Sequence, residues 1–218
     1  MKPELIIFDF DGTLADTTAT ILSTYAMAIK ELGTDKRTDA ECQATIGLPL
    51  KEGFRQLYPD FSDEQLSNCV DTYRRIFNLN KLKLIPKLYP GVKETLQQLE
   101  ARGIQMAVAS SRSRESLIEF CEKCGIKEHF ALILGADDVD HAKPNPEPVL
   151  TTLNRLHKDA ARTLVVGDMP VDIAMGSGAG CRTVGVTYGN SSRSDLTAAG
   201  ATYVIDSFPA LLENIVVR

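Results

Sequence analysis

The chain has 218 residues, of which 44% are hydrophobic and 24% charged, and its formal net charge is −5. This length allows one large domain or two modest ones with a substantial core. The acidic balance argues against a nucleic-acid partner. No apolar run approaches the ~20 residues of a membrane-spanning helix, which argues against a membrane partner.

The start, MKPELIIFD, has too short an apolar run for a signal peptide. Five cysteines, an odd number, fit a reducing compartment better than a disulfide framework. Cys121 and Cys124 form a CxxC, but Gly125 follows as the stop of a helical pattern, which favours a structural role. We therefore expect a cytoplasmic protein, either a monomer or a homodimer.

Apolar segments without alternation recur along the chain and are separated by helical patterns, which predicts a parallel sheet covered on both faces. The predicted strands lie near Leu5–Asp9, Gln105–Ala109, Ala131–Leu134, Thr163–Val166 and Thr183–Val186. The predicted helices of this part lie near Ser113–Cys124, Glu147–Leu156 and Val171–Ala179.

Residues 15–85 break this rhythm, because they contain helical patterns without a convincing strand. The four predicted helices are Thr18–Leu32, Asp39–Ile46, Leu50–Leu57 and Asp63–Asn78. Pro86, Pro90 and Gly91 mark the end of the segment. The predicted fold class is α/β, with a Rossmann-like parallel-sheet core from residues 1–14 and 86–218 and an inserted α-helical cap domain from residues 15–85.

Polar side chains follow the predicted strands, at the edge where open parallel sheets bind ligands. The stretch FDFDGT ends the first strand, AVASS the second, and GDMPVD the fourth, while AKPNPEP precedes the fourth. The candidate site residues in these stretches are Asp9, Asp11, Ser110, Lys143, Asp168 and Asp172.

Clustered carboxylates repel one another unless a cation lies between them. Oxygen ligands of this kind suit Mg²⁺, and Lys143 with the hydroxyl of Ser110 suits a phosphoryl group. Strand-to-helix turns add backbone N–H groups that favour anions. Three ionised carboxylates and a phosphate dianion carry five negative charges, whereas Mg²⁺ and Lys143 supply three positive ones. We therefore expect loss of either cation to be severe.

These stretches resemble the four motifs of the haloacid dehalogenase superfamily, and the resemblance covers essentially the whole chain. DFDGTLADT resembles the first motif, AVASS the second, Lys143 in KPNPEP the third, and GDMPVD the fourth. Within the superfamily the chain is most similar to phosphoglycolate phosphatases and related pyrophosphatases, in which a helical cap follows the first motif. The resemblance implies a Mg²⁺-dependent phosphatase whose substrate is a small phosphorylated metabolite.

The resemblance also implies roles for individual residues. Asp9 would attack phosphorus and form an aspartyl-phosphate, and Asp11 would act as general acid and then as base. Ser110 and Lys143 would complete the catalytic set by holding phosphoryl oxygens. The implied metal ligands are Asp9, the backbone carbonyl of Asp11, Asp168 and, directly or from just behind the ligands, Asp172. The implied substrate-binding residues are Gly12, Thr13, Gly47, Lys51, Ser110, Ser111 and Lys143.

TIGLPLKEGF, residues 45–54, resembles the cap loop that faces the active site in phosphoglycolate-phosphatase-like members. Gly47 suggests a shaped turn. Lys51 either binds an anionic part of the substrate or lies on an exposed helix face, and the sequence leaves both open.

Two features depart from a simple match. Met169 stands where close relatives commonly carry a serine, which removes a hydrogen bond near the metal. GSGAG, Gly176 to Gly180, lies within or after a helix, which indicates tight helix packing and not nucleotide binding.

Other functions are compatible with parts of this pattern. An inorganic pyrophosphatase and a sugar phosphomutase share the motifs, but Ile21 stands where the mutases carry a histidine. Asp11 argues against a dehalogenase, which lacks the second aspartate. An inactive regulatory binding module on the same fold is the alternative from a different class.

Overall fold

The structure is a computed structural model that describes residues 2–80 and 85–213. Its strands are β1 Leu5–Phe8, β2 Ala15–Asp16, β3 Lys87–Leu88, β4 Gln105–Ala109, β5 Leu132–Leu134, β6 Thr163–Gly167, β7 Arg182–Val186 and β8 Tyr203–Ile205. Its α-helices are α1 Thr18–Leu32, α2 Asp39–Gln43, α3 Leu50–Leu57, α4 Asp63–Asn80, α5 Val92–Ala101, α6 Arg114–Lys123, α7 Glu147–Leu156, α8 Pro170–Gly178 and α9 Arg193–Ala198.

Six of the strands form one parallel sheet in the order β5-β4-β1-β6-β7-β8. The central strand β1 pairs with β4 and β6, so that Phe8 aligns with Val108 and with Val166. Because these three strands are parallel and in this register, they end at one edge of the sheet. The loops that carry the predicted site residues therefore begin side by side.

Strand β1 shows why its sequence, LIIF, is apolar without alternation. Ile6 and Phe8 belong to a hydrophobic core on one face of the sheet, and Leu5 and Ile7 to a second core on the other face. All four side chains are fully buried. A strand covered on both faces has no polar position, as the sequence pattern indicated.

Helices α1 to α4 pack around a hydrophobic core of their own. Tyr25 of α1 and Phe54 of α3 meet edge to face at its centre, with ring centroids 5.2 Å apart. Phe77, near the end of α4, instead joins the large core beneath the sheet. The predicted cap boundaries stay a prediction, and residues 81–84 of that segment lie outside the described residues.

The two connections between the helical segment and the sheet pair with each other. Ala15 and Asp16 of β2 lie antiparallel to Leu88 and Lys87 of β3. Both chain crossings are thus held together beside the end of β1. No helix within residues 2–80 and 85–213 is long and apolar enough to cross a membrane.

The α/β class with a parallel sheet is confirmed, and the five predicted strands form with ends shifted by one residue at most. The prediction lacked α5, α9, β8 and the short pair β2 and β3. Helix α5 was recognisable, because Val92, Leu96 and Leu99 recur at helical spacing and are all buried. Helix α2 ends at Gln43 and is shorter than expected.

Tight packing explains one of the two glycines of α8, Gly176. A Cβ at Gly176 would lie 2.7 Å from Thr183 Cγ2 and 2.8 Å from Val165 Cβ, both on neighbouring strands. At Gly178 the nearest atom would be Pro146 Cβ at 3.4 Å, which is an ordinary contact. The close approach of α8 to the sheet therefore requires glycine at position 176 but not at position 178.

We expect Gly176→Ala to lower the free energy of unfolding by about 1–3 kcal/mol, because an overpacked helix must move away from β6 and β7. Gly178→Ala adds the same methyl group on the same helix and should leave stability nearly unchanged. Urea unfolding of both variants measures the difference. Equal stability of the two would contradict this account of the packing.

Candidate active site

The turn after β1 is locked to the loop after β6. Gly12 has φ +81°, and a Cβ there would lie 2.2 Å from Asp168 Oδ2. The hydroxyl of Thr13 donates to Asp168 Oδ1 at 3.1 Å. Glycine is therefore required at position 12 by the approach of a carboxylate, and Thr13 fixes the turn that presents Asp9 and Asp11.

Lys143 lies between two of the predicted carboxylates. Its Nζ donates to Asp9 Oδ1 at 2.6 Å and to Asp172 Oδ1 at 2.7 Å. The three side chains are at most 4% exposed. Removing one partner of such a buried pair leaves an uncompensated charge, so this bridge fixes the loops that carry it.

The remaining oxygens of Asp168 and Asp172 also have donors. Asp168 Oδ2 accepts from the backbone N–H of Asn190 at 2.7 Å and from its side-chain amide at 2.9 Å. Asp172, at the third position of α8, accepts from the backbone N–H of Met169 at 3.1 Å through Oδ2. Asp172 thus caps α8 and holds Lys143 at the same time.

Asp9, Asp168 and Asp172 fit a divalent cation. Each offers one carboxylate oxygen, and these oxygens lie within 4.8 Å of one another. With Lys143 charged, the three ionised carboxylates leave two negative charges uncompensated in a buried place. An oxygen-only donor set of this charge suits a hard cation such as Mg²⁺.

The pKa values reflect this crowding. Burial raises the pKa of Asp9 well above its ordinary value, against the attraction of Lys143. Burial and then the charge of Asp172 raise the pKa of Asp168 to about 7, against its hydrogen bonds from Asn190 and Thr13. Burial alone would lower the pKa of Lys143, but Asp172 and Asp9 raise it above its ordinary value.

Ser110 and Ser111 follow β4 and face different partners. Ser110 is buried, and its Oγ accepts from the backbone N–H of Arg112 at 3.3 Å. Ser111 Oγ donates to the backbone carbonyl of Gly47 at 2.8 Å, which joins this loop to the helical segment. The structure therefore places Ser111 at the contact between the two parts of the chain.

The side chain of Met169 lies against the loop around Gly47, the same loop that Ser111 contacts. A Cβ at Gly47, which has φ +95°, would lie 3.1 Å from Met169 Cγ. The Met169 sulfur accepts from the hydroxyl of Ser191 at 3.0 Å. The residue that departs from the usual motif is thus a packing surface for the loop around Gly47.

A cavity of about 540 Å³ lies between the sheet edge and the helical segment. This is the size of a small-molecule pocket. Lys51 lines it, but its Nζ lies 3.4 Å from Asp63 Oδ1 within the helical segment, and its side chain is 40% exposed. Among the other lining residues are Asp9, Asp11, Tyr25, Thr45, Gly47, Tyr73, Ser110, Ser111 and Arg112.

Arg112 lines the cavity and was not among the predicted site residues. Its Nε and Nη2 donate to Asp11 Oδ1 at 2.9 and 2.7 Å. Its guanidinium carbon lies 5.2 Å from the ring centre of Phe77 and 4.8 Å from that of Phe120. Its position directly after Ser110 and Ser111, in the loop that follows a predicted strand, could have identified it as a site residue.

The loop after β7 was missed as well. Asn190 binds Asp168, and the Tyr188 hydroxyl donates to the backbone carbonyl of Thr13 at 2.9 Å. A Cβ at Gly189 would lie 2.4 Å from Asp168 Cβ, so this loop needs glycine where it passes the carboxylate. This loop follows the carboxyl end of a predicted strand, and that position could have identified it as part of the site.

Comparison with known proteins decides the family. The profile of the family described as haloacid dehalogenase-like hydrolase matches residues 6–186. The chain belongs to this family. Two curated relatives extend the match: a protein named probable phosphatase IndB from Dickeya dadantii is 40% identical over 95% of this chain and 91% of its own. The pyrophosphatase PpaX of Halalkalibacterium halodurans is 32% identical over 100% of this chain and 99% of its own.

A solved structure agrees with this assignment. A haloacid dehalogenase-like hydrolase from Bacteroides fragilis has a TM-score of 0.91 and 28% identity over 96% of this chain and 100% of its own. The expected family, the fold class and the assignment as a phosphatase-type hydrolase are therefore confirmed.

The raised pKa of Asp168 predicts a pH-dependent stability of the metal-free haloacid dehalogenase-like protein. A carboxyl group whose pKa is about 7 when folded and 3.8 ordinarily loses its stabilising contribution as the pH rises through the folded value. After chelator treatment, we expect the unfolding temperature to fall by several degrees between about pH 5 and about pH 8.

The matched controls separate this group from the rest of the chain. Asp168→Asn should flatten the dependence, whereas Asp60→Asn, an exposed position, should not. Adding Mg²⁺ at the higher pH should raise the unfolding temperature, because the ion binds the ionised form. Calorimetry measures all three, and a stability that increases over this range would contradict the prediction.

Proposed function

We propose that the chain is a Mg²⁺-dependent phosphatase that hydrolyses small phosphate monoesters, such as phosphoglycolate, through an aspartyl-phosphate on Asp9. The observation that supports this most directly is the position of Lys143 Nζ between Asp9 and Asp172, with Asp168 beside them at the sheet edge. The cytoplasm remains the expected location, with a monomer or homodimer as the expected state.

Asp9 is the proposed nucleophile. Lys143 binds Oδ1, so Oδ2 is the oxygen that attacks phosphorus along the line of the leaving group. Lys143 and Ser110 then supply donors for the phosphoryl oxygens as negative charge shifts onto them. Gly12 and Thr13 hold the turn that sets the direction of Asp9.

Asp11 is the proposed acid and base. Its Oδ1 accepts both bonds from Arg112, so Oδ2 is the oxygen available for proton transfer. It would protonate the leaving oxygen in the first step and take a proton from the attacking water in the second. The position of Asp11 on the cavity wall supports both roles.

Asp9, Asp168 and the backbone carbonyl of Asp11 are the proposed ligands of Mg²⁺, with Asp172 within reach of the same ion. When bound, Mg²⁺ neutralises charge and polarises the phosphoryl group. The buried, doubly negative oxygen cluster supports this assignment.

Residues 15–85 are the proposed cap domain, which covers the cavity and limits substrate size. Ser111 Oγ donates to the backbone carbonyl of Gly47 at 2.8 Å, and the Gln43 amide donates to Asn190 Oδ1 at 3.4 Å. These two contacts between the proposed cap and the core support a closed arrangement. The paired strands β2 and β3 are the proposed hinge. Closure excludes water until the ester is bound.

Pyrophosphate hydrolysis is a second candidate. The 32% identity with the pyrophosphatase PpaX of Halalkalibacterium halodurans over nearly the full length of both chains favours it. The leaving group is then a phosphate, which is also small and anionic. Ratios of kcat/KM over a panel of phosphate esters and pyrophosphate discriminate the two, and a regulatory module would release phosphate from none.

We expect Asp9→Asn to lower kcat by at least about a thousand-fold, because an amide cannot form the aspartyl-phosphate. The fold should persist, because asparagine is nearly isosteric and keeps an oxygen that can accept from Lys143 Nζ, while Asp172 still pairs with the ammonium group. Asp60→Asn is the matched control and should keep the wild-type rate. Phosphate release by protein free of wild-type enzyme measures the effect, and substantial turnover by Asp9→Asn would refute the nucleophile.

We expect activity to disappear in excess chelator, to return with Mg²⁺ and to be inhibited by Ca²⁺. Asp9 and Asp168 would hold either ion, but Ca²⁺ accepts more oxygen ligands than Mg²⁺ and would compete for the Asp9 oxygen that must stay free to attack phosphorus. Rates are measured at fixed ionic strength with each ion. Equal rates with Ca²⁺, or full activity in chelator, would exclude the metal assignment.

A further inference from the structure

Arg112 has a charge and a position that the proposed chemistry does not use. It lines the cavity, and its side chain is only 10% exposed. The guanidinium carbon lies over the rings of Phe77 and Phe120, which meet edge to face, and the group is attracted to both rings. A cation this desolvated needs an anion, and Asp11 is the carboxylate that pairs with it within the described chain.

The hydrogen bonds of Arg112 leave donors free. A guanidinium group has five N–H donors. Nε and Nη2 both donate to a single oxygen, Asp11 Oδ1, and Nη1 donates to Ser116 Oγ at a long 3.4 Å. Among the described residues, one N–H on Nη1 and one on Nη2 are therefore without a partner.

The location of these donors relates them to the leaving group. In the proposed function, Asp11 contacts the oxygen that leaves phosphorus, and Arg112 lies 2.7 Å from Asp11. The atoms of the substrate just beyond the leaving oxygen therefore lie within reach of the guanidinium group. Its planar fork matches a carboxylate or a phosphate, which it binds through two parallel hydrogen bonds.

The other cations of the cavity are less suited to this task. Lys51 is paired with Asp63 and Arg74 is exposed. Lys143 contacts Asp9 and Asp172, and its proposed partner is the transferred phosphoryl group and not the leaving group. Two further acids line the cavity and have other surroundings than Arg112. Asp137 accepts from the backbone N–H of Arg114 at 2.7 Å, and Glu115 is exposed.

We infer that Arg112 is a specificity-determining residue that binds a second anionic group, a carboxylate or a phosphate, carried on the leaving group of the substrate. The inference rests on the proposed function. Phe77 belongs to the helical segment and Phe120 to the core, so the arginine is held in this position when the two parts are closed. An anionic leaving group therefore meets Arg112 in the closed form.

Two esters of matched size test this. 2-Phosphoglycolate and 2-hydroxyethyl phosphate share the phosphoryl group and a two-carbon alcohol, and they differ in the carboxylate. Arg112→Met should lower kcat/KM for 2-phosphoglycolate by about 10- to 100-fold more than for 2-hydroxyethyl phosphate, as expected for a charged hydrogen-bonded contact. Pyrophosphate, measured alongside, distinguishes a phosphate from a carboxylate as the preferred group.

Two further variants serve as controls. Arg112→Lys keeps the charge without the fork and should retain part of the preference. Arg74→Met removes an exposed cation from the cavity wall and should leave the ratio between the esters unchanged. Calorimetric binding of both esters to Asp9→Asn, with and without Arg112→Met, gives a readout that needs no turnover.

Each outcome decides the inference. Selective loss with 2-phosphoglycolate or pyrophosphate supports it. Equal loss with all three compounds assigns Arg112 to holding Asp11 or the fold and overturns it, while the phosphatase activity of the wild type still stands. Selective loss in Lys51→Met without one in Arg112→Met also overturns it. Absence of wild-type turnover with every compound refutes the proposed function itself.

Discussion

The ammonium group of Lys143, buried between Asp9 and Asp172, is the interaction on which the site depends. These three residues come from the turn after β1, the segment before α7 and the first turn of α8, and their charges are unfavourable in the interior unless all remain in contact. The parallel register of β1 and β6 brings the loops to the same edge, so the sheet makes the ion pairs possible.

A second ion pair, between Arg112 and Asp11, completes the charge pattern. Each of the two proposed reactive carboxylates therefore contacts one cation through its Oδ1. Asp168 instead accepts hydrogen bonds from the uncharged side chains of Thr13 and Asn190. Burial and then the charge of Asp172 raise its pKa to about 7. Four carboxylates and two cations leave two negative charges, which a single divalent ion neutralises. The site is thus electrostatically incomplete without such an ion.

The sequence predicted what is local. Strand β1 was recognisable from four adjacent apolar residues, and the acidic residues after it from their position. Contacts between distant segments were not predictable in this way. Arg112 meets Asp11 across 101 residues, and Asn190 meets Asp168 across 22, so neither pairing is encoded in a short motif. The expected place of Lys51 beside the substrate stayed open for a related reason: its ammonium group has a carboxylate partner on another helix.

The contact between Met169 and Gly47 couples two regions that otherwise look independent. Met169 follows Asp168 and directly precedes α8, while Gly47 belongs to the proposed cap. Consider a chimera in which the cap comes from a relative that has serine at the position of Met169. In this chain that cap would pack against the longer Met169 side chain instead of a serine. Changes at these two positions should therefore occur together in the lineage, and chimeric enzymes should recover closure only when both are transferred. The residue at position 169 thus limits which cap sequences can pack against this core.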